Sequence, residues 1–125
     1  MKGDPGTNYS VVEGLSALSR SAATYTSASV DHALAPSATY LISCGTWAGS
    51  LVATLEHSAD DSSWTAEADT TYGNEVNLTL TEAGSGDVKC PNPRRQFTHI
   101  SLVLGGTCVA SITNVSGPLR YVDQG

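Results

Sequence analysis

Three histidines, His32, His57 and His99, are the side chains best suited to hold a metal or move a proton near neutral pH. None stands four residues from another and no His-Glu-x-x-His run is present, so a metal site would need three separate segments to converge. We therefore expect no metal and read the three as solvated or structurally bonded, with His57 bonded to the acidic turn that follows it. That turn, Asp60-Asp61-Ser62-Ser63, gathers the oxygen atoms that calcium takes, but the carboxylate ladder and closing glutamate of a calcium-binding loop are missing. Paired carboxylates do acid and base work in glycosidases, whereas the remaining acids here are scattered singly. No Gly-x-Ser-x-Gly elbow occurs, and Gly84-Ser85-Gly86 lacks the lysine that completes a phosphate loop. Asn77-Leu78-Thr79 and Asn114-Val115-Ser116 match glycosylation sequons, which carry meaning only in a secreted chain. The expectation is a protein with no catalytic residue and no cofactor, and not an enzyme.

Two further sets of side chains invite chemistry. Cys44, Cys90 and Cys108 are odd in number and sit in no Cys-x-x-Cys. Cys44 and Cys108 lie in apolar alternating runs, where a cysteine is a small buried hydrophobe, so we read them as core thiols of a reducing compartment. Tyr25, Tyr40, Trp47 and Tyr72 would form a sugar-binding platform if a small sandwich exposed them. They carry the alternative reading, a carbohydrate-binding module.

The elements that must position these residues follow from composition and pattern. The 125 residues suffice for one domain, and only 14% are charged, with 16 Ser and 14 Thr in their place. Such a hydroxyl-rich chain suits strands and turns, and it excludes helical bundles and coiled coils. No run nears the 18 apolar residues of a membrane span, and the first residues lack the pattern of a signal peptide. Twelve acids against six bases give a net charge of -6. Nine of the acids fall between Arg20 and Lys89, where no base occurs, while Lys89, Arg94, Arg95 and Arg120 lie beyond. An acidic majority repels a phosphate backbone, so nucleic acid is not an expected partner.

Residues 1–20 read as a flexible N-terminal arm, because Met1 to Asn8 is turn chemistry and Gly14 and the serines weaken any helix. Residues 21–125 read as a β-sandwich domain. Strands are expected over Ala23–Thr26, Ala28–Val30, Thr39–Cys44, Leu51–His57, Trp64–Ala66, Glu75–Leu80, Thr98–Leu104 and Thr107–Thr113, with Leu119–Val122 as an edge. Gly105-Gly106 between two apolar runs predicts a tight hairpin, and Glu82–Pro93 reads as a long polar excursion. The expected core is Ile42, Leu51, Leu55, Trp64, Leu78, Ile100, Leu102 and Val109. Short strands at this spacing indicate an all-β jelly-roll or other Greek-key β-sandwich with an extended N-terminal arm, an immunoglobulin-like sandwich being second.

One stretch is more specific than its composition. Ser29-Val30-Asp31 leads through a turn to Tyr40-Leu41-Ile42, and then Leu51-Val52-Ala53-Thr54-Leu55-Glu56-His57-Ser58 runs into Asp60-Asp61-Ser62-Ser63-Trp64-Thr65. This resembles the capsid decoration, or cement, proteins of tailed bacteriophages, over roughly residues 23–70. The resemblance implies a virion structural protein on the outer capsid surface, assembled in the host cytoplasm, that bridges adjacent subunits of the major capsid protein and stabilises the shell. A tail or neck protein of the same virion is the nearest variant. It implies a homodimer, with a trimer as the alternative, and neither nucleic acid nor membrane as partner. Capsid or subunit contacts are then expected from Tyr9, Val11, Val12 and Leu15, from Arg94 and Arg95, and from Leu119, Arg120 and Tyr121.

Overall fold

Alternation in two segments decides the architecture. In Ala38–Cys44 and Leu51–Ser58 every second side chain is buried, so each is a strand with one face on a core and one turned outward. The computed structural model describes residues 10–45, 50–67 and 73–117. In chain order the strands are β1 Ser10–Arg20, β2 Ala23–Thr26, β3 Val30–Asp31, β4 Ala38–Cys44, β5 Leu51–Ser58, β6 Thr65–Ala66, β7 Asn77–Leu80, β8 Gly84–Cys90, β9 Phe97–Leu104 and β10 Cys108–Ser116. They form an all-β domain of two packed sheets. One has the order β1-β10-β4-β8; the other has β2-β9-β5-β6, with β3 also on β9 and β7 also on β5.

Every pairing is antiparallel, and the pairs nest. β1 pairs with β10, β2 and β3 with β9, β4 with β8, and β5 with β6 and β7. Successive pairs alternate between the two sheets. Between the sheets lie Tyr40, Ile42, Leu51, Leu55, Val88, Ile100, Leu102 and Ile112, all buried. Leu78 packs on this core from the side, half-buried.

Several expectations are corrected. Residues 10–20 are not a loose arm: they form β1 and pair with β10 from Ser10↔Ser116 to Arg20↔Cys108. No period of two announces this strand, because register shifts at Gly14 and between Leu15 and Leu18 break it and its outer edge faces solvent. Gly105-Gly106 closes no hairpin, since β9 and β10 belong to opposite sheets. Gly105 instead donates its N–H to Ser50 O, and a Cβ there would run into Ser50. The Glu82–Pro93 excursion contains β8, whose inner positions Val88 and Cys90 are preceded by Gly84 and Gly86, leaving too few large side chains to signal a strand. Val109 is half-buried at an outward position of β10, and Cys108 and Ala110 take the inner positions beside it. Trp64 lies not in the core but on the outer side of the second sheet, flat against His99. The expected edge strand Leu119–Val122, Trp47 and Tyr72 lie outside the described residues.

Glycine marks two close approaches, one between the sheets and one between two strands of the first sheet. At Gly86 a Cβ would press on Leu78 of the facing sheet, closing the sandwich between β8 and β7. At Gly14 it would collide with the Asn114 amide. That amide donates through Nδ2 to Ala28 O at 2.9 Å, and Ala28 N donates back to Gly14 O at 2.9 Å, which fastens β1 and β10 to the chain after β2. Gly14→Ala should cost about 1–3 kcal/mol by overpacking this clamp. Gly45→Ala, whose Cβ would meet only Val109 at 3.9 Å, should change stability by less than about 0.5 kcal/mol. Urea unfolding of both variants checks the contrast, and equal midpoints would show that the clamp yields freely.

Candidate functional site

The polar side chains of the interior gather at one end of the sandwich, where β4 and β9 begin and β5 and β8 finish. Inward positions there carry Tyr40, His57 and Thr98, whereas the opposite end is closed by Leu51, Leu104, Cys44 and Cys108. Burying polar groups requires partners, and one chain of hydrogen bonds supplies them for Tyr40 and Thr98. His32 Nδ1 lies 2.8 Å from Ala35 O, and a carbonyl can only accept, so Nδ1 carries the proton. Nε2 is then a bare acceptor, and the Thr98 hydroxyl donates to it at 2.7 Å. The Tyr40 hydroxyl in turn donates to Thr98 Oγ1 at 2.6 Å. Burial pushes the Tyr40 phenol well above its ordinary range and holds His32 below 6.5, against the pull of the Ala35 carbonyl and Asp31.

A second polar cluster adjoins the first. Glu67, just past β6, is only 2% exposed and accepts from Arg94 Nη1 at 3.0 Å. Asn74 lies against the same carboxylate and exchanges hydrogen bonds with the Asn92 backbone, 2.7 Å to its O and 3.0 Å from its N. These contacts fix the 91–96 loop to the end of the sandwich. His57 is buried nearby without a bond at Nδ1. Its pKa is lowered first by burial, which Glu67 opposes and Arg95 and Arg94 reinforce. The acidic turn does not use His57, contrary to the sequence expectation. Asp60 accepts instead from the Ser58 hydroxyl and from the N–H groups of Ser62 and Ser63, which lowers its pKa and closes the turn with Asp61 at φ 61°.

The arrangement offers little reactivity. Burial and the neighbouring Cys108 thiol push Cys44 up to about 12, and burial with Glu67 nearby pushes Cys90 to about 12. A protonated, buried thiol is a poor nucleophile. Among the described residues no three His, Cys, Asp or Glu side chains are grouped to hold a metal. The expected aromatic platform is not assembled: Tyr40 is fully buried, and Tyr25 is half-buried with the Arg20 guanidinium 5.2 Å over its ring. Trp64 does present an aromatic on the outer face, stacked 3.6 Å from His99, whose Nε2 lies 2.7 Å from Glu56 Oε1.

The expected contact residues separate into two groups. Val11 and Val12 are exposed on edge strand β1, at 68% and 47%, while Leu15 is half-buried opposite Ile112. Arg94 and Arg95 stand on the loop leaving β8, the other edge of the same sheet. Tyr9, Leu119, Arg120 and Tyr121 lie outside the described residues. Open space adjoins both groups. A cleft of about 300 Å3 runs between Val12, Leu34 and Asn114, and a groove of about 680 Å3 runs beside Arg94 and Arg95. No family model matches the sequence, and no curated protein is significantly similar to it.

Two outcomes follow from the buried network. Thr98→Val strands the Tyr40 hydroxyl and His32 Nε2 together, so it should cost about 2–3 kcal/mol in denaturant unfolding. His32 and His57 have native pKa values below the 6.5 of the unfolded chain. Between those values the unfolded state binds more protons, so stability should be full above about pH 6.5 and decline as pH falls toward the native values. A melting temperature unchanged from pH 7.5 to pH 5, or higher at the acidic end, would contradict this.

Proposed function

We propose that the domain is a jelly roll acting as a structural, non-enzymatic virion protein. On this reading it binds the outer surface of a tailed-phage capsid and bridges adjacent major capsid protein subunits. The nested antiparallel pairs, allotted alternately to two four-position sheets, support the jelly-roll assignment. Jelly rolls serve both capsid and lectin domains, so the fold by itself does not choose between them.

The observation that carries the docking reading is β1. It is an 11-residue strand at the edge of its sheet, paired among the described residues with β10 alone, and it exposes Val11, Val12 and Leu18. Soluble domains shield long edges with charged side chains, proline, bulges or a covering segment. β1 has two register shifts and the charges of Glu13 and Arg20, but neither lysine nor proline, and its three large apolar side chains stay exposed. Such an edge is suited to permanent contact with another protein, through backbone hydrogen bonds and apolar side chains together. A capsid lattice supplies contacts of that kind in fixed number, and a dimer about a symmetry axis is the proposed state.

Sugar binding is the second reading, and Trp64 beside Glu56 is what favours it. Gradient sedimentation of a native lysate, with this chain followed by mass spectrometry, separates the two. Virion incorporation predicts that it travels with megadalton particles at a constant ratio to the major capsid protein. Recovery only in the light fractions, among intact particles, would reject that role. Glycan binding abolished by Trp64→Ala would then establish the other.

A further inference from the structure

The groove beside the 91–96 loop has a composition unlike the rest of the chain. Pro36, Pro91 and Pro93 line it with apolar, conformationally fixed residues, and Arg94, Arg95 and Gln96 stand around them. A second hollow of about 190 Å3 shares Pro91 and carries the depression on to Lys89 and Glu75. Three of the six Lys and Arg side chains of a chain with net charge -6 thus border two adjoining hollows, Arg94 and Arg95 on the first and Lys89 on the second. Glu67 lies beneath, holding Arg94 in place while leaving its side chain 39% exposed. Glu75 is turned onto the Lys89 backbone, its Oε1 accepting that N–H at 2.8 Å.

We propose that this groove binds an acidic, extended segment of a partner protein. Proline lacks the N–H that would pair with a peptide backbone, so recognition falls to the side chains around it. Gln96 Nε2 already donates to Asp31 Oδ1 at 3.1 Å, so the charge that reads a partner rests on the arginines, whose guanidinium suits a carboxylate in both charge and shape. A loop already fixed by proline and by the Asn74–Asn92 exchange loses little further entropy on binding. The groove is open and adjoins the second hollow at Pro91, which fits a chain laid across both. A nucleic-acid strand would want more cations and exposed aromatics for its bases, and the hollows are lined by no Phe, Tyr or Trp, while the His32 ring is buried and bonded to Thr98. The inference rests on the docking reading only for the identity of the partner.

The test uses the full chain and a labelled polyglutamate peptide, followed by fluorescence anisotropy. Wild type should bind, more weakly as salt rises, and Arg95→Glu should weaken binding about tenfold or more. Thr79→Glu, on the outer face of the other sheet, adds negative charge elsewhere and should leave binding nearly unchanged. Absence of peptide binding overturns the proposal. If Arg95→Glu then lowers the melting temperature, the chain's own residues fill the groove; if it abolishes self-association, a second copy does. Tighter binding of a thymidine oligonucleotide than of polyglutamate, dependent on Arg95, overturns it in favour of nucleic acid. Particle sedimentation distinguishes the two readings. Virions that retain Arg95→Glu as well as wild type refute the groove and spare the docking role. Arg95-dependent peptide binding by a chain that ignores virions supports the groove and removes that role.

Discussion

The hydroxyl of Thr98 joins the two sheets at the end where the long connections gather. It accepts from Tyr40 of one sheet and donates to His32, while Thr98 itself stands on the other sheet. Each partner is buried, so none of the three can be changed alone without leaving a polar atom unsatisfied. The direction of the chain is fixed as well, because Ala35 O takes the single proton of the neutral imidazole. A proton added at Nε2 would meet the Thr98 hydrogen head-on. This arrangement ties the 31–37 connection to the core and sets one wall of the groove, since His32, Ala33 and Pro36 all line it.

The same constraint explains why the loops of this end are ordered by polar contacts rather than by apolar ones. Glu67, Asn74, Asn92 and Arg94 come from three separate segments, and each satisfies a group that another would leave buried. An ion pair with one partner exposed, as Arg94 is, does little for net stability. Its effect is positional: Glu67 sets where the Arg94 guanidinium can stand. At the opposite end the core finishes in Leu51, Leu104 and two cysteines, and no comparable network is found among the described residues.

How much of this was legible depends on where the signal resides. β4 and β5 announce themselves by alternation, one face buried and the other carrying mainly Thr, Ser or a charge, whereas β9 alternates only from Ile100 on, because His99 is buried beside Thr98. β1 and β8 are silent for a shared reason: both are edge strands with glycine at points of close approach, and neither repeats large apolar residues at period two. Gly105-Gly106 misleads because a tight turn and a crossing between sheets both favour residues without side chains. The site was almost wholly hidden. Glu67 and Arg94 are 27 residues apart and Tyr40 and Thr98 are 58, so no local pattern joins them. The available clue was register, since alternation places the hydroxyl of Thr98 on the same face as Ile100 and Leu102, where it must find a partner.

A protein that bridges neighbours needs two dissimilar contacts, and on the proposed reading this domain has them at the two edges of one sheet. β1 offers apolar side chains and an edge with no further strand on it among the described residues; the connection after β8 offers arginines over proline. Three strand spacings separate β1 from β8, about 14 Å. The chemistries differ in a useful way. Apolar contact is insensitive to salt and contributes through buried area, whereas the arginine groove weakens as ionic strength rises and contributes orientation. A domain held by both would keep its place under high salt through β1 but lose the constraint on its angle. Neither edge could substitute for the other: Glu13 and Arg20 are the only charges on β1, and the groove has no exposed aliphatic side chain larger than proline. Close contacts at both edge strands, Gly14 on Asn114 within the first sheet and Gly86 against Leu78 of the facing sheet, leave little room for the edges to shift relative to each other. Such stiffness is what load transfer between two bound neighbours would demand.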